Sequence, residues 1–178
     1  MCRVDIRGSL ARLTGRVRQH RDALHFCLRF ALYSVLAFIA LFALQDKVVE
    51  PFTQGIAWVT YKLLRAMGTQ AWRDGVSVGV PDFAVQIRTN CNAIYEMGLY
   101  TAASLAYPAA ATQRATGVVV GIAVLYVVNL VRVLSLVFFG QLLPEFFDVF
   151  HVYVWQALFL LVVGGLWLGW VGRVRPVA

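Results

Sequence analysis

Charge is scarce in this sequence. Asp, Glu, Lys and Arg make up only 14% of its 178 residues, against 60% hydrophobic residues, and the mean hydropathy is +0.70. That balance excludes an ordinary soluble domain, which at this size could not hide so much apolar surface. Clustered metal ligands are missing too. The three cysteines, Cys2, Cys27 and Cys91, form no Cys-x-x-Cys pair and no His/Cys cluster, so neither a metal nor another cofactor is expected. A cleavable signal peptide is excluded because the basic N-terminal region and the apolar run after it are both too long and no small-residue cleavage site follows, so the N-terminus is expected to act as a signal anchor. Internal repeats and low-complexity segments are absent as well.

What is present is a series of apolar runs near or above the roughly 18–20 residues that a helix needs to cross a bilayer. The formal charge of +7 does not point to nucleic acid. Its excess arginine lies at residues 3, 7, 12, 16, 18 and 21, beside the first apolar run, where it reads as a topology signal that keeps the N-terminus in the cytoplasm. Residues 1–25 form this basic cytoplasmic segment, with Leu10, Leu13 and Val17 at amphipathic helical spacing. Residues 26–178 form one membrane-embedded unit.

The first span runs from Phe26 to Leu44. In residues 48–67, Phe52, Ile56, Val59, Leu63 and Met67 mark one helical face, but Glu50, Gln54, Lys62 and Arg65 make the segment too polar for a comfortable crossing. It is expected to lie on the outer surface; a true crossing would move every later element to the other side. From Gly75 to Thr89 the period changes to two, with Val76, Val78 and Val80, a Pro81-Asp82 turn, then Phe83, Val85 and Ile87. A β-hairpin outside the membrane is expected. Further spans follow at Cys91 to Tyr107, Gly117 to Phe139 and His151 to Val171. The fold class is therefore mainly α: a polytopic membrane protein with about four transmembrane helices, an amphipathic surface helix and a short extracytoplasmic hairpin. Both termini are cytoplasmic in this topology.

The topology brings chemistry together. Cys91 opens the second span, where Asn90 is a good N-cap and the positive end of the helix dipole favours thiolate. The other reading of Cys91 is a small buried packing residue. Arg132 lies seven residues before the outer end of the third span, about 10 Å deep. An arginine at such depth costs about 2.5–3.5 kcal/mol on insertion scales and usually faces a cavity or a partner. His151 opens the fourth span at the same outer layer. Glu96 falls at a depth similar to Arg132, and the two could form a purely architectural ion pair. Asn129, one turn before Arg132, could bond between helices or orient a substrate amide. A thiol beside an imidazole has the elements of an activated nucleophile, and a buried guanidinium can stabilise an oxyanion. Asn90, Asn92, Glu96 and Asn129 are the supporting or substrate-binding candidates.

The order strand, Cys91-Asn92-Ala93-Ile94, then Asn129-x-x-Arg132-Val133, then His151 before a last span, resembles the exosortase/archaeosortase family, most closely the exosortase H type. The likeness covers roughly residues 46 to 170. The resemblance implies a membrane-embedded cysteine transpeptidase with Cys91, Arg132 and His151 as catalytic residues. It implies as partners membrane-anchored proteins whose C-terminal sorting signals combine a short motif, a transmembrane helix and a basic tail. Cleavage would occur at the outer face of the bacterial cytoplasmic membrane, through a thioester. One departure is Ala93, where the family often has glycine.

A reading from another class makes the chain a non-enzymatic membrane subunit or a small transporter component, with Glu96, Asn129 and Arg132 along a polar pathway. A conduit needs polar residues through the inner half as well. Gly117 to Ile122 and Leu158 to Trp170 contain none, which favours a site that opens outward. A third reading, a different membrane acyltransferase, keeps the same nucleophile.

Overall fold

A computed structural model describes residues 6–89 and 91–174, with side chains from Arg21 onward. Helix α1 (Ile6–Ala43) is unbroken over 38 residues, and no proline interrupts it. The basic segment and the first span therefore share one helix from residue 6. The face expected at Leu10, Leu13 and Val17 lies outside the described side chains. A π-helical turn (Gln45–Val49) joins α1 to α2 (Glu50–Ala66), which has Pro51 in its first turn, where a missing N–H costs nothing.

The buried stripe of α2 is not the expected one. Thr53, Ile56, Ala57, Thr60 and Leu64 are buried, whereas Leu63 and Met67 are exposed. The helix is rotated so that Thr53 points into the protein, where it meets a polar partner described below. Helix α2 is not among the helices long and apolar enough to cross a membrane.

Three strands follow: β1 (Trp72–Asp74), β2 (Ser77–Val80) and β3 (Phe83–Gln86), antiparallel in the order β1-β2-β3. The expected hairpin is β2–β3, closed at Val80↔Phe83 around Pro81-Asp82. Strand β1 was not expected, because Trp72-Arg73-Asp74 is too short and polar to show a period of two. It joins through a turn that holds Gly75 at φ +55°, a left-handed conformation that glycine adopts without strain. The apolar face of the sheet (Val78, Val80, Val85, Ile87) packs with Ile56, Ala57 and Leu64 of α2. Its other partners are Val133, Leu136 and Val137 of α4 (Ala111–Leu142).

Helix α3 (Ile94–Ala106) is shorter than the expected second span, with 13 residues or about 20 Å. It starts late because Ala93 takes a left-handed conformation. It stops at Tyr107, which is extended ahead of Pro108. It packs on α1, α4 and α6 (Trp155–Val171). Tyr100 of α3 lies directly over Gly121, and its hydroxyl donates to the Gly117 carbonyl at 3.2 Å, while Trp170 lies over Gly117. The Gly117-x-x-x-Gly121 stripe thus lets large rings approach the α4 backbone closely, a device common between membrane helices.

Among the described residues, Arg21–Ala43, Ala111–Leu142 and Pro144–Val171 are long and apolar enough to cross a membrane. The protein is a polytopic membrane protein, mainly helical, with a small sheet. Three helices meet the length criterion, and α3 is a short fourth helix packed among them. The last helical run comprises a 3₁₀ turn, the single turn α5 (Phe147–Val149), a π turn (Phe150–Val154) and then α6.

Candidate active site

Cys91 lies in the turn between β3 and α3, three residues ahead of the helix rather than in its first turn. Its N–H donates to the Arg88 carbonyl at 2.8 Å. Asn90, the expected N-cap, lies outside the described residues. The capping contact that the structure describes comes from Asn92, whose Oδ1 accepts the Ile94 N–H at 3.0 Å. The other end of the same amide donates from Nδ2 to Thr53 Oγ1 at 2.7 Å, and Thr53 donates to the Val49 carbonyl at 2.7 Å. Asn92 is fully buried. Its two-ended clamp ties the cysteine turn to α2 and explains the rotation of that helix. Between the clamp and α3, Ala93 sits at φ +61°. An L-residue in this conformation costs about 1–2 kcal/mol.

Three elements meet at the Cys91 sulfur. His151 Nε2 is 2.6 Å from Sγ, and Arg132 Nη2 is 3.6 Å from it. Cys91 is 3% exposed and Arg132 only 1%. His151 belongs to the π turn, which inserts a residue into the helix and so shifts its face relative to Trp155; such bulges are frequent at functional sites. The imidazole stacks on Phe147 with ring centroids 5.5 Å apart, and Phe147 packs edge-on against Phe83 of β3 at 5.0 Å. The guanidinium of Arg132 lies over the Phe159 ring at 5.7 Å. Burial is the largest influence and leaves the Cys91 thiol above its ordinary pKa, with the Arg132 guanidinium acting in the opposite direction. The influences that oppose burial here are positive charge and a neighbouring base, rather than a helix terminus.

The ion pair considered for Glu96 and Arg132 is not supported by hydrogen bonds: Glu96 Oε2, Arg132 Nε and Arg132 Nη1 are all buried without a hydrogen-bond partner. Asn129, one turn from Arg132 on α4, is fully buried with both side-chain polar atoms unpartnered. Buried polar atoms without partners are rare in folded proteins. Two of them, Nε and Nη1, belong to Arg132, whose remaining guanidinium nitrogen meets the sulfur. Cys91 and His151 also line a cleft of about 410 Å³ with Ala84, Val85, Gln86, Arg88, Phe147, Asp148 and Val152. Among the described residues no group of His, Cys, Asp and Glu could hold a metal ion.

Sequence reasoning singled out Cys91, Arg132 and His151, and the structure brings all three together. It missed Thr53, because a threonine on a helix gives no signal until its partner is known. It also missed Arg88, just after β3, and Asp148, in the turn α5, as cleft residues; neither belongs to a sequence pattern.

Neither a curated protein nor a solved structure is significantly similar to the chain. The model of a family described as transmembrane exosortase (Exosortase_EpsH) matches residues 18–169, a stretch that includes the cysteine turn, α4 with its arginine and the π turn with its histidine. On that match, which spans most of its length, the chain belongs to the transmembrane exosortase family.

Proposed function

We propose that the protein is a membrane-embedded cysteine transpeptidase that cleaves C-terminal sorting signals, each a short motif, a transmembrane helix and a basic tail. The observation that carries this reading is the sulfur of Cys91 held 2.6 Å from His151 Nε2 with the Arg132 guanidinium beside it. His151 accepts the thiol proton as the sulfur attacks the scissile carbonyl. Arg132 donates to the oxyanion that forms, and its Nε and Nη1 still have hydrogen-bonding capacity to spend. Collapse of the tetrahedral intermediate returns the proton from His151 to the leaving amine, leaving a thioester on Cys91. An amine acceptor or water then attacks the thioester, which regenerates the thiol.

The site opens at the end of the helices that carries the sheet. With the arginine-rich N-terminus in the cytoplasm and α3 counted as a crossing, that end faces the periplasm and both termini are cytoplasmic. Residues 26–178 act as one catalytic unit in the bacterial inner membrane. The membrane-subunit reading is disfavoured because Arg132 turns towards the sulfur rather than pairing with Glu96 by hydrogen bonds.

The test is a processing assay in cells. A reporter ending in a motif–helix–basic-tail signal is co-expressed with wild type, Cys91→Ala, Arg132→Ala or His151→Ala, and a membrane-impermeant maleimide reports whether Cys91 is reached from outside. Processing by wild type and its loss in Cys91→Ala are expected. Normal processing by Cys91→Ala would overturn the assignment of the nucleophile.

A further inference from the structure

Strand β3 is an edge strand, and its free edge leads straight to the nucleophile. The Ile87 N–H donates to the Val76 carbonyl at 3.1 Å, which makes 76/87 a hydrogen-bonded pair. In an antiparallel ladder such pairs alternate, so Val85 with Val78 and Phe83 with Val80 are also hydrogen-bonded pairs. The intervening pairs, Gln86 with Ser77 and Ala84 with Gly79, are not. The backbone N–H and C=O groups of Ala84 and Gln86 therefore point away from β2. Among the described residues, no hydrogen bond from another element takes them up. The side chains of Ala84, Gln86 and Arg88 are exposed, whereas Val85 and Ile87 are buried in the sheet face.

Ala84, Val85, Gln86 and Arg88 line the cleft that contains Cys91 and His151, together with Phe147, Asp148 and Val152. Unpaired strand edges are templates for pairing, and proteins usually blunt them with charge, bulges or a covering element. Here the edge is kept open beside a reactive sulfur. We propose that the segment of substrate preceding the scissile bond binds as an extended strand added to the free edge of β3, and that Ala84 and Gln86 supply its backbone hydrogen bonds. This rests on the transpeptidase reading. Strand β3 runs towards Cys91 and then into α3. A substrate whose own membrane helix follows its cleavage motif runs the same way, so the added strand lies parallel to β3. Main-chain pairing then supplies affinity, and alternate side chains of the motif face the cleft walls and supply selectivity.

The pairing can be broken at one atom. Gln86→Pro removes the outward N–H without removing a donor to β2, whereas Gln86→Ala keeps that N–H and removes only the side chain. With the full-length protein in membranes and the reporter described above, Gln86→Pro is expected to process at least about tenfold more slowly than Gln86→Ala, which corresponds to the loss of one or two hydrogen bonds. Cys91 should still react with a small maleimide in both variants. Equal processing by the two variants overturns the proposal. Should Gln86→Pro fail to accumulate, synthetic peptides spanning the reporter's cleavage point, N-methylated at successive residues, give the answer with wild-type protein. Sensitivity at every second position is the expected result, and uniform tolerance sinks the idea. Failure of wild type to process the reporter, or normal processing by Cys91→Ala, would count against the transpeptidase reading itself instead.

Discussion

The chain places two cysteines in opposite surroundings. Cys27 lies on the exposed flank of α1, among Leu24, Leu28 and Leu32, and is free. Cys91 is buried, yet its sulfur meets an imidazole and a guanidinium drawn from two other elements, and the turn that carries it is fastened by a second hydrogen-bonded chain. On the transpeptidase reading, the difference places the source of reactivity in the partners of the thiol. A buried thiol without partners would be inert packing. The largest expected effect comes from removing each sulfur in turn. Cys91→Ala should lower signal processing by at least about 10³-fold, as loss of a nucleophile does. Cys27→Ala should process like wild type. Both are read from the ratio of cleaved to uncleaved reporter.

The second way to break the contrast is to strip Cys91 of its positive partner. Arg132→Lys keeps a charge but loses the planar donor set, and about 10²-fold slower processing is expected, the scale of losing an oxyanion donor. The pH profile separates this from a folding defect. Arg132 lowers the Cys91 pKa against the rise caused by burial, so Arg132→Met removes the lowering influence and raises the pKa further. The acid limb of the pH–rate curve should therefore move to higher pH, and a limb that stays in place would remove electrostatic activation by Arg132 from the mechanism.

The third variant leaves all three reacting groups intact. Thr53→Val deprives the buried Asn92 Nδ2 of its acceptor, a loss worth about 1–3 kcal/mol. If the clamp aims the sulfur, processing should fall about tenfold, and Thr53→Ser, which keeps the hydroxyl, should restore it. A purely structural role would lower the amount of folded protein in membranes without changing the rate per molecule.

Composition and run length made the membrane helices and the β2–β3 hairpin legible, because these elements follow from apolar length and a period of two. The Cys91–Arg132–His151 meeting was legible from topology, which put all three in the outer layer on different elements; depth alone did not decide it, since Glu96, expected level with Arg132, makes no hydrogen bond to it. The clamp was not. Its hydrogen bond joins residues 39 apart in the chain, and the hydrophobic periodicity of α2 suggested a face offset from the buried one, with Leu63 and Met67 inside. Burying Thr53 runs against the hydrophobic pattern and is explained only once Asn92 is seen to need a partner. The late start of α3 was also hidden, because Asn92 and Ala93 look like good first-turn residues until the side-chain turn and the left-handed backbone are known. Strand β1 escaped because three residues, two of them charged, are too few to show a period.

The smallest expected effect concerns that left-handed residue. Ala93 stands out from the family resemblance as a position where glycine is frequent, and the backbone supplies a reason: φ is +61° there, where a Cβ is strained. Ala93→Gly relieves about 1–2 kcal/mol of strain. Against this stand the greater chain entropy of glycine, about 0.5–1 kcal/mol, and the loss of a buried methyl group worth about 0.8 kcal/mol. The terms nearly cancel, so thermal unfolding in detergent should shift by only a few degrees in either direction, and processing should stay within about twofold. Ala93→Val carries the same strain plus a branched Cβ in a fully buried position, and it should lose membrane-inserted folded protein outright. If glycine and valine behaved alike, backbone conformation would not be what restricts position 93, and the Asn92 clamp alone would have to hold Cys91 against its two partners.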